Sequence, residues 1–154
     1  MRIRIIWEGK TKDARLNALT ADYRKRISHL CDVVIEEIRP ARDPVRDKAD
    51  KLSAGERRLL EKLRGSTKVF LDERGREYSS QEYAQWLGQQ ALQGTREIAF
   101  LIGGPDGFPT AFRKEADHLM ALSRMTLTHE WARALLFEQI YRGFTILRGY
   151  PYAR

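Results

Sequence analysis

Glu97-Ile98-Ala99-Phe100-Leu101-Ile102, EIAFLI, carries one charge at its start and none after it. A strand with one wet face alternates apolar and polar residues. A short run without that alternation reads as buried on both faces, as in a parallel sheet covered by helices. Gly103-Gly104-Pro105-Asp106-Gly107 follows at once. A glycine-rich turn at the carboxyl end of a buried strand lets backbone approach a ligand closely, and open α/β sheets bind ligands there. The turn is not G-x-G-x-x-G and contains no G-K-[ST] to cradle a triphosphate, so dinucleotide and nucleoside-triphosphate readings are weak. A plain tight turn accounts for the glycines equally well.

Downstream, a short helix is expected to start near Pro109, where proline suits a first turn, and to end before His118. Leu119–Leu122 (LMAL) reads as a strand. Ser123–Thr128 (SRMTLT) is a loop of small and apolar residues leaving that strand's end. Backbone amides and carbonyls in such a loop can grip an adenine, with Met125 and Leu127 as apolar walls; a packed loop is the plain alternative. His129–Leu147 is the longest helical pattern, followed by Tyr150-Pro151-Tyr152. Trp131, Leu135, Leu136, Phe137, Ile140, Tyr141, Phe144, Ile146 and Leu147 fall nearly all round it. A helix apolar on most sides is buried on most sides, so cover from two directions is expected.

Upstream, Met1–Trp7 reads as a strand ending at Glu8-Gly9. Thr11 is the expected cap of a helix over 12–30, with Leu16, Leu19, Tyr23, Ile27 and Leu30 inward at helical spacing. Asp32–Ile38 (DVVIEEI) reads as a second strand. Arg39–Asp50 has two prolines, several basic residues and no periodicity, so it reads as a loop: a solvated linker, or a basic segment touching RNA phosphates. Lys51–Arg64 is expected as a helix with Leu52, Leu59, Leu60 and Leu63 inward, stopped by Gly65. Thr67–Asp72 (TKVFLD) is a third strand and 73–77 a turn. Ser79 or Ser80 caps a helix to Leu92, with Tyr83, Trp86, Leu87 and Ala91 inward. Strands alternating with helices imply an α/β fold with a mainly parallel sheet, in one domain.

The chain has 154 residues, enough to bury roughly two-thirds of its unfolded surface. Its formal charge is +7, from 28 Lys+Arg against 21 Asp+Glu. Basic excess favours polyanions, nucleic acid first and an anionic membrane surface second; solubility alone is the plain alternative. The one cysteine, Cys31, excludes an internal disulfide and a cysteine metal cluster, and beside Val33-Val34-Ile35 it reads as a small buried residue. No window approaches a membrane span, and MRIRIIWEG lacks a leader's apolar run, so a cytoplasmic protein is expected. Three scattered histidines with no H-x-x-x-H pair argue against a metal site. His129 and Arg133 share a helix face. Glu138 and Arg142 form an i,i+4 pair that a plain salt bridge would also explain.

LIGGPDG, LSRMTLTHEWAR and LLFEQIYRGFTILRGYPY, in that order at the end of the chain, resemble the RlmH family of small SPOUT-class methyltransferases of 23S ribosomal RNA. The first strand ending in glycine and TKVFLD also fit, so the likeness spans 1–154, with the C-terminal third its specific part. The resemblance implies an α/β fold with helices on both faces of the sheet and a C-terminal trefoil knot, the last segment threaded through a loop. It implies a homodimer that uses S-adenosyl-L-methionine to methylate N3 of a pseudouridine in helix 69 of the large-subunit RNA, on the ribosome. Cofactor contacts carry over to Leu71, Gly103, Gly104, Leu122, Ser123, Arg124, Met125, Thr126 and Leu127. Helix positions carry over to His129, Arg133, Glu138, Gln139, Tyr141 and Arg142, and Tyr152 matches a tail tyrosine.

The N3–H of the target ring must lose its proton around transfer. On this reading Arg133 and Arg142 are the cations for a developing ring anion, and Tyr152 and His129 are the candidate proton acceptors. Arg15, Lys25, Arg26 and the Arg39–Lys48 loop are expected on phosphates. The family commonly has histidine directly after the tail tyrosine. Here Ala153 stands there, leaving Tyr152, His129 or Arg154 to cover that role. Two rival readings are a SPOUT methyltransferase of another RNA, such as a tRNA, and a non-catalytic ribosome-binding protein.

Overall fold

The computed structural model describes residues 1–39 and 51–152. Among the described residues the elements alternate strictly: β1 Arg2–Glu8, α1 Ala14–Ser28, β2 Asp32–Ile38, α2 Ala54–Lys62, β3 Thr67–Glu77, α3 Ser80–Leu92, β4 Glu97–Ile102, α4 Thr110–Arg113, β5 His118–Ala121 and α5 His129–Leu147. The strands form one sheet in the order β2-β1-β4-β3-β5, and every pairing is parallel. EIAFLI is the central strand, and residues 98 to 102 are all buried. Its side chains divide by parity. Ile98, Phe100 and Ile102 pack with α1, α3 and α5 on one face; Ala99 and Leu101 pack with Leu63 after α2 and Phe112 of α4 on the other. This double burial is why the strand shows no alternation.

β3 runs on through residues 73 to 77, where a turn was expected. Met120 of β5 pairs with both Leu71 and Arg76 of this one strand. A strand residue has two hydrogen-bonding edges, so β5 lies between two arms of β3 and the chain of 72–75 passes across it. The crossing is close enough that a Cβ on Gly75 would stand 2.5 Å from the backbone of Leu119 and Met120. The charged residues and glycine of DERGR, typical of a turn, here serve the threading that the resemblance implies.

Other differences have local causes. The cap of α1 is Asp13, which accepts from the amides of Arg15 and Leu16. Thr11 is instead engaged by Arg133, whose Nη1 donates to its Oγ1 at 2.8 Å. Ala91 is exposed, and Ala84 and Gln90 are buried in α3 instead. β5 begins one residue earlier than expected, at His118. Cys31 is partly buried, and burial pushes its thiol up to about 11, so it is a poor nucleophile at neutral pH. The basic loop from Pro40 to Asp50, and Ala153 and Arg154, lie outside the described residues.

α5 is covered from two directions within one chain, by α1 and by α3. Leu136, Phe137, Ile140 and Phe144 are buried, whereas Trp131 remains 56% exposed and Leu147 44%.

Candidate functional site

Three segments meet at the carboxyl end of the sheet. Leu71 pairs with Ile102 on one edge and with Met120 on the other. The glycine turn after β4 and the loop after β5 therefore leave the sheet on either side of the β3 bend. The expected cofactor positions Leu71, Gly103, Gly104 and Leu122 are brought together by this register. The turn is tight: the Gly107 amide donates to the Gly104 carbonyl at 3.0 Å. Added Cβ atoms at Gly103 and Gly104 would meet the Gly107 backbone at 3.1 Å and the Glu8 carboxylate at 2.8 Å. Asp72, nearly buried in the bend, faces Arg113 of α4 at 3.7 Å and Arg74 at 3.6 Å, which ties the two segments together.

The loop 122–128 is held at its ends and open in its middle. The Met125 amide donates to Ser123 Oγ at 2.9 Å. Arg124 pairs with Glu77 on the outer arm of β3 at 3.2 Å. Met125 is 78% exposed and Leu127 is exposed beside it. Thr128 caps α5 by accepting from the Trp131 amide. The glycines are thus required by the close packing of the turn on itself and on Glu8, and the apolar side chains of the loop's middle are left exposed.

The four expected catalytic residues fall into two groups. His129, half-buried, opens α5 directly after the loop. Arg133, one turn on, is fully buried. Its Nη2 donates to the Glu8 carbonyl at 2.7 Å and its Nη1 to Thr11 Oγ1, and its guanidinium lies over the Trp7 ring. Burial lowers its pKa from the usual arginine value. Glu130 works beside it, accepting from the amides of Lys12 and Asp13. Together they clamp the β1–α1 loop onto α5.

Arg142 and Tyr152 form the second group. Arg142 donates twice to Glu138 Oε1, at 2.6 and 3.0 Å, and this bonding raises its pKa. Its guanidinium lies 4.9 Å from the Tyr152 ring centre. The Tyr152 hydroxyl sits 2.8 Å from the Tyr23 hydroxyl and 3.2 Å from Glu138. Burial, then the Tyr23 contact and the Glu138 charge, push the Tyr152 phenol well above its ordinary pKa. From 129 to 142 is about 20 Å along a helix, so in one chain this group stands well away from His129, whereas Leu122, at the other end of the loop, lines a cavity with Gln139, the neighbour that donates to Glu138.

Sequence reading missed Tyr23, Thr11, Glu8 and Glu130 in these networks. Tyr23 showed only as part of an apolar stripe, and the others carried no periodic signal. Among the described residues, no group of three or more His, Cys, Asp or Glu is placed to hold a metal. Nor is any described helix long and apolar enough to cross a membrane.

Residues 1–153 match the family model described as "Predicted SPOUT methyltransferase". Relatives described as ribosomal RNA large subunit methyltransferase H match over their whole length. The protein of Geobacter sp. (strain M21) is 42% identical, covering 99% of this chain and 98% of its own. That of Solibacter usitatus is 40% identical, covering 100% of both. Among solved structures, one described as a probable methyltransferase from Bordetella pertussis Tohama I superposes with a TM-score of 0.56 at 11% identity, covering 93% of this chain and 96% of that one. At that identity the likeness is one of fold.

Proposed function

The chain belongs to the SPOUT methyltransferase family, and on that footing we propose that it methylates large-subunit ribosomal RNA, with S-adenosyl-L-methionine as donor, at N3 of a pseudouridine in helix 69. The observation that supports this reading is the register that sets Leu71 between Ile102 and Met120, so that the turn at Gly103–Gly104 and the loop from Leu122 both start beside it. The loops suit the donor: a tight glycine turn at a strand's carboxyl end, and exposed Met125 and Leu127 as apolar walls for an adenine. When bound, the donor supplies a methyl group already activated on a sulfonium.

The chain's own residues then have to orient the ring and manage one proton. Arg142, kept charged by Glu138, is the cation for the developing ring anion. Tyr152, held as a neutral phenol, serves as an oriented hydroxyl and not as a phenolate base. His129, at the donor loop, is the proton acceptor. Arg133, buried and turned onto Glu8 and Thr11, holds the β1–α1 loop in place and so acts by positioning. Because about 20 Å of helix separates the Arg142–Tyr152 group from His129, we infer a homodimer in which one copy's tail faces the other's donor loop. Exposed Leu127, Trp131 and Ile146 favour a second copy on this side of α5. Exposed bases on α1, Arg15 among them, contact phosphates of the cytoplasmic ribosome.

Large subunits from cells lacking the enzyme, incubated with the protein and methyl-labelled donor, test the reading. Label on the helix 69 pseudouridine is expected. Label on another RNA replaces the target; no donor binding, or no label anywhere, overturns the reading.

A further inference from the structure

The tail turns back on α5. Gly149, at φ 64°, and the bond from the Tyr150 amide to the Thr145 carbonyl reverse the chain after the helix. Tyr152 is thereby laid beside Glu138, fourteen residues earlier. Its ring meets the edge of Tyr141 at 4.8 Å and the guanidinium of Arg142 at 4.9 Å. These partners all belong to α5, the helix that the tail itself extends. The contact from Tyr23 comes from a different element, α1.

The hydrogens in this cluster can be ordered. Glu138 is ionised and only accepts; it already takes bonds from Arg142 and from Gln139 Nε2 at 2.6 Å. The Tyr152 O–H therefore donates to Glu138. Its oxygen is left as an acceptor, so the Tyr23 O–H donates to it. The chain of bonds runs Tyr23 to Tyr152 to Glu138, with one direction. Glu138, Arg142 and Tyr141 all hold the ring from α5 alone; the bond from α1 is the one that ties the tail to a second element.

We propose that Tyr23 is a positioning residue: its hydroxyl latches Tyr152 against Glu138 and so sets where the tail and Arg142 face the target nucleotide. This deepens the methyltransferase reading and rests on it. Tyr23→Phe is a clean probe. It removes one oxygen and keeps the ring against Tyr141 at 6.0 Å and beneath Arg26 at 5.4 Å. With large subunits as substrate, kcat is expected to fall roughly five- to tenfold, the range of one lost hydrogen bond between side chains. Donor affinity is expected to stay at the wild-type value, and the thermal midpoint to fall by no more than the few degrees one such bond is worth. Adding Tyr23→Phe to Tyr152→Phe should cost no more than about twofold beyond Tyr152→Phe alone, because the two act through one bond. Fluorine NMR of 3-fluorotyrosine at position 152 reads the latch without any reaction, and its resonance should shift or broaden in Tyr23→Phe. An unchanged resonance overturns the proposal. So do independent, multiplicative effects, or an activity loss that only tracks a fall in thermal midpoint. If the wild-type protein methylates no RNA, the functional reading fails, and the fluorine signal still decides whether the latch exists.

Discussion

Burying an arginine costs free energy unless its donors are met. Arg133 is fully buried, with two bonds made to the Glu8 carbonyl and the Thr11 hydroxyl, while its Nε has no partner. The side chain is thus committed to the β1–α1 loop, and its face is spent on Trp7. Arg133→Met keeps most of the volume and removes both bonds, to Glu8 and to Thr11. Stability is expected to fall by about 1–3 kcal/mol, read from the thermal midpoint or a urea titration. Activity should fall mainly as that loop loosens, so the donor-loop affinity stays near wild type. Loss of turnover at unchanged stability would instead put Arg133 among groups that touch the reacting ring.

The element that decides the site is β3, because its bend both carries Leu71 and encloses β5. Two arms pairing with one residue require the chain to cross a strand at backbone contact distance, and Gly75 is where it does so. A methyl group there meets main chain, which cannot rotate away as a side-chain tip can. Gly75→Ala is expected to cost at least about 2–3 kcal/mol, and to reduce soluble yield, since overpacking a closed site forces backbone shifts. A variant with wild-type thermal midpoint and yield would show that the crossing has slack. The same bend bears Asp72, which pairs with Arg113 of α4 at 3.7 Å.

At the scale of the molecule, the proposed composite site places its two halves toward opposite ends of α5. The donor loop leads into its start, and Arg142 and Tyr152 gather toward its far end. A second copy set against the exposed apolar residues of α5 would bring unlike ends together. Trp131→Arg is therefore expected to shift the protein toward monomer in sedimentation, and to lower methylation far more than donor binding. A monomeric variant with full turnover would remove the need for a composite site. The formal charge of +7 adds that binding to the ribosomal subunit weakens as salt rises.

How much of this was legible along the chain differs by feature. EIAFLI marked the doubly buried central strand, and the alternation of strands and helices marked an α/β fold with a parallel sheet. The extent of α5, roughly His129 to Leu147, was readable because a continuous apolar pattern acts within a few residues. The glycine turn and the loop 122–128 were visible as pieces; their meeting at Leu71 was not. Thr11 looked like the cap of α1 until Arg133, 122 positions away, took its hydroxyl and Asp13 proved to be the cap. Tyr23 looked like any stripe residue until Tyr152, 129 positions away, came to rest on it. Periodicity and caps are local interactions, so the sequence by itself determined the elements and their apolar faces. Which strand threads which, and which buried polar group answers which, is set by contacts between distant residues, and only the tertiary structure decided those.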